Sequence, residues 1–362
     1  MKVLFLINGL GLGNSTRCHA IIQRLHAKSA RIEVVTSGNG LWYFSDKPEV
    51  SAIHEIQSLA YGSKDGAISI TRTFASIFEI AGILRQNARK IGTMLDDIKP
   101  DVLVIDSDYN FLPAKRRNLP IAALNNADMV WDSYFQFKDR PSSIRAQFYG
   151  VEMLDYYFHK MVPDLVLSPS LAPRAAEGGR NIRRIGPIVR LGYDAATEIQ
   201  TGQAKNATVM LSGSVFGTPV NFSRPDYPVV IDVIGREPPD GWRERGDVTF
   251  HGKIIDTYRI LKDADVAVVN GGFSAVSEML CMKKPVVVVP VPNHAEQWIN
   301  ARTIEHLGFG LMATQFNYED VMLQAVERID DFRANYQQFG EIEDGADQAS
   351  QAILDLASRP SG

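Results

Sequence analysis

Val266-Ala267-Val268-Val269-Asn270-Gly271-Gly272-Phe273-Ser274-Ala275-Val276-Ser277-Glu278 is the stretch on which the fold turns. The opening apolar run reads as a strand buried on both faces, the mark of a parallel sheet. It stops at a Gly-Gly turn, and a helix is predicted to begin near Ala275, which sets Glu278 one turn in. Gly271 and Gly272 followed by Ser274 and Ala275 at a helix start can seat a diphosphate on backbone N–H groups. A carboxylate in the first turn can accept hydrogen bonds from ribose hydroxyls. Alone, Glu278 would read as an acid favouring the helix dipole; in this setting the ligand reading is preferred. The next strand, Val286 to Val289, leads into Pro290-Val291-Pro292-Asn293-His294-Ala295-Glu296-Gln297. Glu296 and Gln297 on that loop can bracket sugar hydroxyls at the carboxyl edge of the sheet.

The same grammar runs outward in both directions. Thr208–Leu211, Val229–Ile234 and Val248–Phe250 read as strands upstream, and Tyr318 to Leu356 reads as helices downstream. Residues 186–206 lack a long apolar run and are taken as a linker, dividing the chain at 1–190 and 191–362. Before it, Val3–Ile7, Ile32–Val35, Ile53–Ile56, Val102–Ile105, Ile121–Leu124 and Leu165–Leu167 form a first set of strands. Between them, Phe74, Ile77, Ala81, Leu84, Ala88, Ile91, Leu95 and Ile98 step by three or four, one face of a long helix. Alternating strands and helices, twice over, predict an α/β protein of two Rossmann-like domains facing across a cleft. The last helices are free to cross back to the first domain.

The first strand opens into Gly9-Leu10-Gly11-Leu12-Gly13-Asn14. Gly11 and Gly13 let backbone approach a ligand at a helix N-terminus. A dinucleotide fingerprint would place Gly at position 14 and an acid after the second strand. Here those places hold Asn14 and Val35-Thr36-Ser37, which disfavours a dehydrogenase.

Composition narrows the class. A length of 362 residues suits two domains, with 45% hydrophobic and 22% charged residues typical of folded globular chains. A formal net charge of −4 gives no pull toward nucleic acid, and peripheral membrane contact has no support. Lys115-Arg116-Arg117 and Arg183-Arg184 read as solvated surface. The two cysteines, Cys18 and Cys281, are far apart and make neither a disulfide framework nor a structural zinc site. The N-terminal apolar run is too short for a signal peptide, and no stretch reaches a membrane span, so the cytoplasm is the expected compartment.

Residues 264–312 resemble the donor-binding half of GT-B glycosyltransferases, in the lineage of the peptidoglycan GlcNAc transferase (family 28) and the UDP-glucuronosyl-like enzymes. The ordered match is Ala264-Asp265, Asn270 to Glu278, Lys284-Pro285, Pro290, Glu296-Gln297, Asn300-Ala301 and Leu307-Gly308-Phe309-Gly310. The first half is similar to the same lineage through Gly9–Arg17, Ser107-Asp108-Tyr109 and Ile185-Gly186-Pro187-Ile188-Val189-Arg190. The resemblance implies that Ser274 and Ala275 give N–H groups to the diphosphate, that Glu278 binds the ribose, and that Glu296 and Gln297 bind the transferred sugar. It implies a second phosphate loop at Gly213-Ser214 and a base seat at Phe250 to Ile254. The implied reaction moves a hexose, with inversion and without metal or cofactor, from a nucleotide diphosphate (UDP) to a sugar, lipid-linked or small-molecule acceptor.

Many relatives carry His where this chain has Asn14. A neutral amide cannot take a proton, and His19 is more than a turn away. Asp108, at the end of the strand Val102 to Ile105, is the candidate base; its alternative is a helix cap. Asp106-Ser107-Asp108 and Asp263-Ala264-Asp265 also spell DxD, which leaves a metal-dependent transferase as one alternative and a catalytically impaired nucleotide-sugar-binding protein as another.

Overall fold

The computed structural model describes residues 1–58, 63–64, 67–68, 77–172, 179–190, 199–211, 220–254, 256–340 and 342–359. The strands are β1 (Lys2–Ile7), β2 (Arg31–Thr36), β3 (Ala52–Glu55), β4 (Ser63–Lys64), β5 (Ala67–Ile68), β6 (Val102–Asp106), β7 (Ile121–Leu124), β8 (Leu165–Pro169) and β9 (Ile182–Ile185), then β10 (Asn206–Met210), β11 (Val230–Val233), β12 (Val248–Phe250), β13 (Val266–Asn270), β14 (Val286–Val289) and β15 (Gly310–Met312). Among the described residues they form a seven-stranded sheet ordered β3-β2-β1-β6-β7-β8-β9, a six-stranded sheet ordered β12-β11-β10-β13-β14-β15, and the small antiparallel pair β4-β5. Both large sheets pair parallel throughout and reverse their winding beside a central strand, β1 in one and β10 in the other. That reversal opens a crevice at the carboxyl ends of the strands.

Alternation along each strand divides the core into two layers per sheet. Val3, Phe5 and Ile7 pack with Ile21 and Leu25 of α1 (Leu12–Ala27), while Leu4 and Leu6 pack with Ile91 and Leu95 of the long helix after β5. In order after α1, the helices are α2 (Asn39–Phe44), that long helix α3 (Ile77–Ile98), α4 (Leu112–Lys115) and α5 (Ala127–Gln136). A 3-10 turn (Ser142–Ile144), α6 (Arg145–Gln147), a π-helical stretch (Phe148–Glu152) and α7 (Met153–Met161) then run end to end. The second half adds α8 (Tyr258–Leu261), α9 (Phe273–Cys281), α10 (Ala295–Leu307), α11 (Tyr318–Glu327), α12 (Ile329–Phe339) and α13 (Gly345–Ala357). Val276, Met279 and Leu280 of α9 cover one face of the second sheet, and Val321, Met322 and Ala325 of α11 the other.

The last helix belongs to the first sheet's core, where Ala346, Ala349, Ile353 and Leu356 join Val3, Ile21 and Leu25. Asp344 caps α13 by accepting from the N–H groups of Ala346 and Asp347, and its other oxygen pairs with Arg24 of α1 at 2.8 Å. Gly345 is required by close approach, since a Cβ there would lie 1.9 Å from the Gly186 carbonyl oxygen.

Several expectations need amendment. Phe74 of the expected long helix and 191–198 of the expected linker lie outside the described residues, as do Ile77 and Ala81 as side chains. The edge strands β9 and β15 were not expected. Arg184 is no free surface cation: it pairs with Asp128 at 2.9 Å and Asp132 at 2.5 Å, while Arg183 is exposed.

Candidate active site

The two glycine turns meet. α1 begins behind Gly11 and α9 behind Gly272, and among the described residues neither start carries a side-chain cap, so first-turn N–H groups remain for a ligand. The Ser274 hydroxyl donates to the Gly13 carbonyl at 3.2 Å, so the turn of one domain touches the turn of the other. Gly271 has a packing reason as well: a Cβ there would sit 2.6 Å from the Gln297 carbonyl oxygen, and Asn300 Nδ2 donates to the Gly271 carbonyl at 2.9 Å.

Glu278 is buried and held by Arg190, whose Nε donates to Oε1 at 2.8 Å and whose Nη2 donates to Oε2 at 3.1 Å. The same guanidinium reaches Thr257 Oγ1 at 3.2 Å. Burial raises the Glu278 carboxyl above its usual range despite this partner. Arg190 follows β9 at the junction of the two halves; its place at the end of the Ile185–Arg190 match was the one signal for it. Beside this mouth Lys253 lies 5.1 Å from the ring centroid of Trp42, which is 46% exposed.

Asn14 Nδ2 donates to the Asn8 carbonyl at 3.4 Å, which ties the first turn of α1 back to the end of β1. The ends of β1 and β6 are joined next door, where Asn8 Nδ2 donates to the Ser107 carbonyl at 3.1 Å. Ser107 takes a left-handed φ of 54°, a costly conformation for a non-glycine residue and one that gathers at functional sites. Asp108 follows, 5% exposed, its Oδ1 accepting from Asn110 N and Nδ2 at 2.8 Å each. Burial raises its carboxyl above the ordinary range, and the Asn110 bonds pull the other way. These bonds make Asp108 a turn-forming acid, and no side chain caps α4. His19 is buried against Tyr43 and Glu49 at 3.1 and 3.3 Å, and burial lowers its pKa.

Each DxD has one carboxylate already engaged. Asp106 is wholly buried and paired with Arg17, and it also accepts from Cys18 Sγ. Asp265 accepts from the N–H groups of Lys205 and Asn206 and pairs with Arg333 at 2.8 Å, while the Asp263 carbonyl accepts from Asn206.

On the helix that packs against Gly271 an apolar cluster joins the domains: Val130, Tyr134 and Phe148 against Ala295, Trp298 and Ile299. Glu296 Oε1 accepts from Asn126 Nδ2 at 3.2 Å, and Ala295 N donates to Gln147 Oε1 at 2.9 Å. Gln297 Oε1 accepts from Val291 N at 3.0 Å, fixing its own loop. Burial, and next the nearby Glu296, push the Glu152 carboxyl well above the usual carboxylate range.

The two remaining regions are less directly placed. Phe250 packs edge-on to Trp242 and near Phe222 at the rim of the second domain's core, so its ring is a packing group; Ile254 packs at the opposite core layer. Gly213 and Ser214 lie outside the described residues. The structure thus brings together Gly11, Gly13, Asn14, Gly271, Gly272, Ser274 and Ala275 at the meeting of two helix starts, with Asp108 at the end of the neighbouring strand.

Residues 1–149 and 243–329 match the family described as glycosyl transferase family 1. A glycosyltransferase of Methanosarcina mazei is 25% identical over 356 residues, spanning 91% of this chain and 90% of its own. The UDP-N-acetylglucosamine–N-acetylmuramyl-(pentapeptide) pyrophosphoryl-undecaprenol N-acetylglucosamine transferase of Lachnoclostridium phytofermentans is 24% identical over 106 residues, 28% of this chain and 30% of its own. The crystal structure of Acinetobacter baumannii MurG shares the fold at a TM-score of 0.62 and 12% identity, covering 98% of this chain and 99% of its own. Since the family match takes in both glycine turns and the strands behind them, the chain belongs to glycosyl transferase family 1 and is a glycosyltransferase of GT-B architecture.

Proposed function

We propose that the chain transfers a hexose, with inversion and without a metal ion, from a UDP-linked donor to an acceptor hydroxyl. The observation that carries this reading is the apposition of two helix starts, Gly11–Asn14 and Gly272–Ala275, with a buried carboxylate, Glu278, in the second turn of the latter helix. Backbone N–H groups and helix dipoles there would offset the charge of a departing diphosphate. Glu278 would accept from the ribose hydroxyls, with Arg190 holding its carboxylate in place. Glu296 and Gln297 would lie against the transferred sugar, and Asp108 would take the acceptor proton. A panel of UDP-, dTDP- and GDP-sugars, scored by release of the nucleotide diphosphate, tests the reading; release from none of them would sink it.

EDTA-treated enzyme is expected to keep most of its rate. The pairing of Asp106 with Arg17 supports this expectation, because that carboxylate is already neutralised by a cation. A rate lost to EDTA and restored by Mn²⁺ would revive the DxD alternative.

Glu278→Gln keeps the shape and a bond to Arg190 but removes the charge that ribose hydroxyls would meet. Its binding of UDP should weaken by about 1.5–3 kcal/mol, a roughly 10- to 150-fold rise in dissociation constant. Calorimetry on variant protein with a parental circular dichroism spectrum is the check, and unchanged affinity would reduce Glu278 to a partner of Arg190.

A further inference from the structure

Three ligand-type side chains gather between the domains, where Glu152, His294 and Glu296 each offer an atom within 4.8 Å of the other two. They come from both domains. Glu152 ends the π-helical stretch, while His294 and Glu296 open α10. Two carboxylates facing each other without a cation repel. The His294 Nδ1 is buried and has no hydrogen-bond partner among the described residues. Outer partners already orient both acids: Gln147 Nε2 donates to Glu152 Oε1 at 2.6 Å, and Asn126 Nδ2 to Glu296 Oε1 at 3.2 Å. Gln147 also binds the Ala295 N–H through its oxygen, so one amide spans the two arms of the cluster.

We propose that this cluster binds zinc or a similar divalent transition ion, and that the bound ion inhibits transfer by drawing Glu296 away from the donor sugar. Two carboxylates and one neutral imidazole balance a 2+ ion, and the imidazole favours zinc over magnesium, which takes oxygen ligands in near-octahedral geometry. Bond lengths of about 2.0–2.2 Å require the three atoms to close to a separation of about 3.3 Å, a side-chain adjustment, with the fourth tetrahedral position left open. The held carboxylates are the kind of outer-shell support that metal sites use. Because the ligands come from two domains, the ion would staple the cleft. The inhibitory half rests on the proposed sugar role of Glu296; the binding half does not.

The test titrates chelator-treated full-length protein with ZnCl₂ by calorimetry, without nucleotide. One zinc per chain is expected, bound at least about tenfold more weakly in both Glu152→Gln and His294→Ala, with no heat from MgCl₂. Absence of zinc binding, or equal affinity in both folded variants, overturns the site whatever the donor turns out to be. Zinc-loaded protein should then bind the tightest UDP-sugar of the panel at least about tenfold more weakly than zinc-free protein, since the staple removes a sugar contact. Equal affinity overturns the inhibition, and an effect that persists in Glu152→Gln overturns its assignment to this site.

Discussion

Asp108→Asn is expected to lower kcat by about 10²–10⁴-fold, the usual worth of general-base assistance, while leaving the dissociation constant for UDP nearly unchanged. An inverting transfer is a single displacement, so the acceptor hydroxyl sheds its proton as it attacks. Asn14 cannot take that proton, and its amide is spent on the Asn8 carbonyl. Asp108 stands at the same strand edge, and burial raises its pKa, moving a carboxylate toward the basicity a base needs at neutral pH. Asparagine preserves the turn-forming oxygen that accepts from Asn110. The sign of the pH dependence follows: the base must be ionised, so kcat/KM should fall on the acid side with an apparent pKa above the ordinary aspartate value. Asp108→Asn should flatten that limb. Full turnover in the variant removes Asp108 from the chemistry, and lost donor affinity with normal kcat would move it to binding.

Breaking the Arg17–Asp106 pair should cost about 3–5 kcal/mol, because the surviving charge stays buried without its partner. Asp106 is fully buried at the end of β6, and Arg17 reaches it from the second turn of α1. Burial opposes the Arg17 charge, and the facing carboxylate more than offsets it, holding the guanidinium firmly protonated. Arg17→Ala should therefore lower the denaturation midpoint of the first domain far more than Arg116→Ala, an exposed control on the same domain. Equal midpoints would mean the pair contributes nothing net. The experiment also bears on the DxD alternative, since an Asp106 needed for folding is a poor metal ligand.

Both sheets were legible because parallel strands buried on two faces must be apolar at every position, as in Val102-Leu103-Val104-Ile105 and Val286-Val287-Val288-Val289. The strands that escaped are at sheet edges. β9 reads Ile182-Arg183-Arg184-Ile185, whose charged middle suits an edge, and β15 has three residues, too few for any period. The glycine turns and Glu278 were readable because each combines a stop signal with a polar group at fixed spacing. Arg190, Asn126 and Glu152 carried no assigned role, since their meaning comes from the partner across the cleft. Arg190 matters once it is seen on Glu278, and Glu152 once it faces His294 and Glu296. No local pattern encodes a contact 142 or 170 residues away, as between Glu152 and His294 or Asn126 and Glu296.

The placement of α13 has a consequence for how the chain is made. A domain whose residues are contiguous can complete its core as soon as it leaves the ribosome, and N-terminal domains usually fold first during synthesis. Here the first sheet waits for Ala346, Ala349, Ile353 and Leu356, the last layer over Val3 and Ile21. The second sheet is finished by β15, α11 and α12, which emerge earlier than α13. The half translated first is therefore the half completed last, and until then it exposes the apolar flank that α13 will cover. Cutting the chain at the linker could not yield two intact halves, because the first would be released without its closing helix.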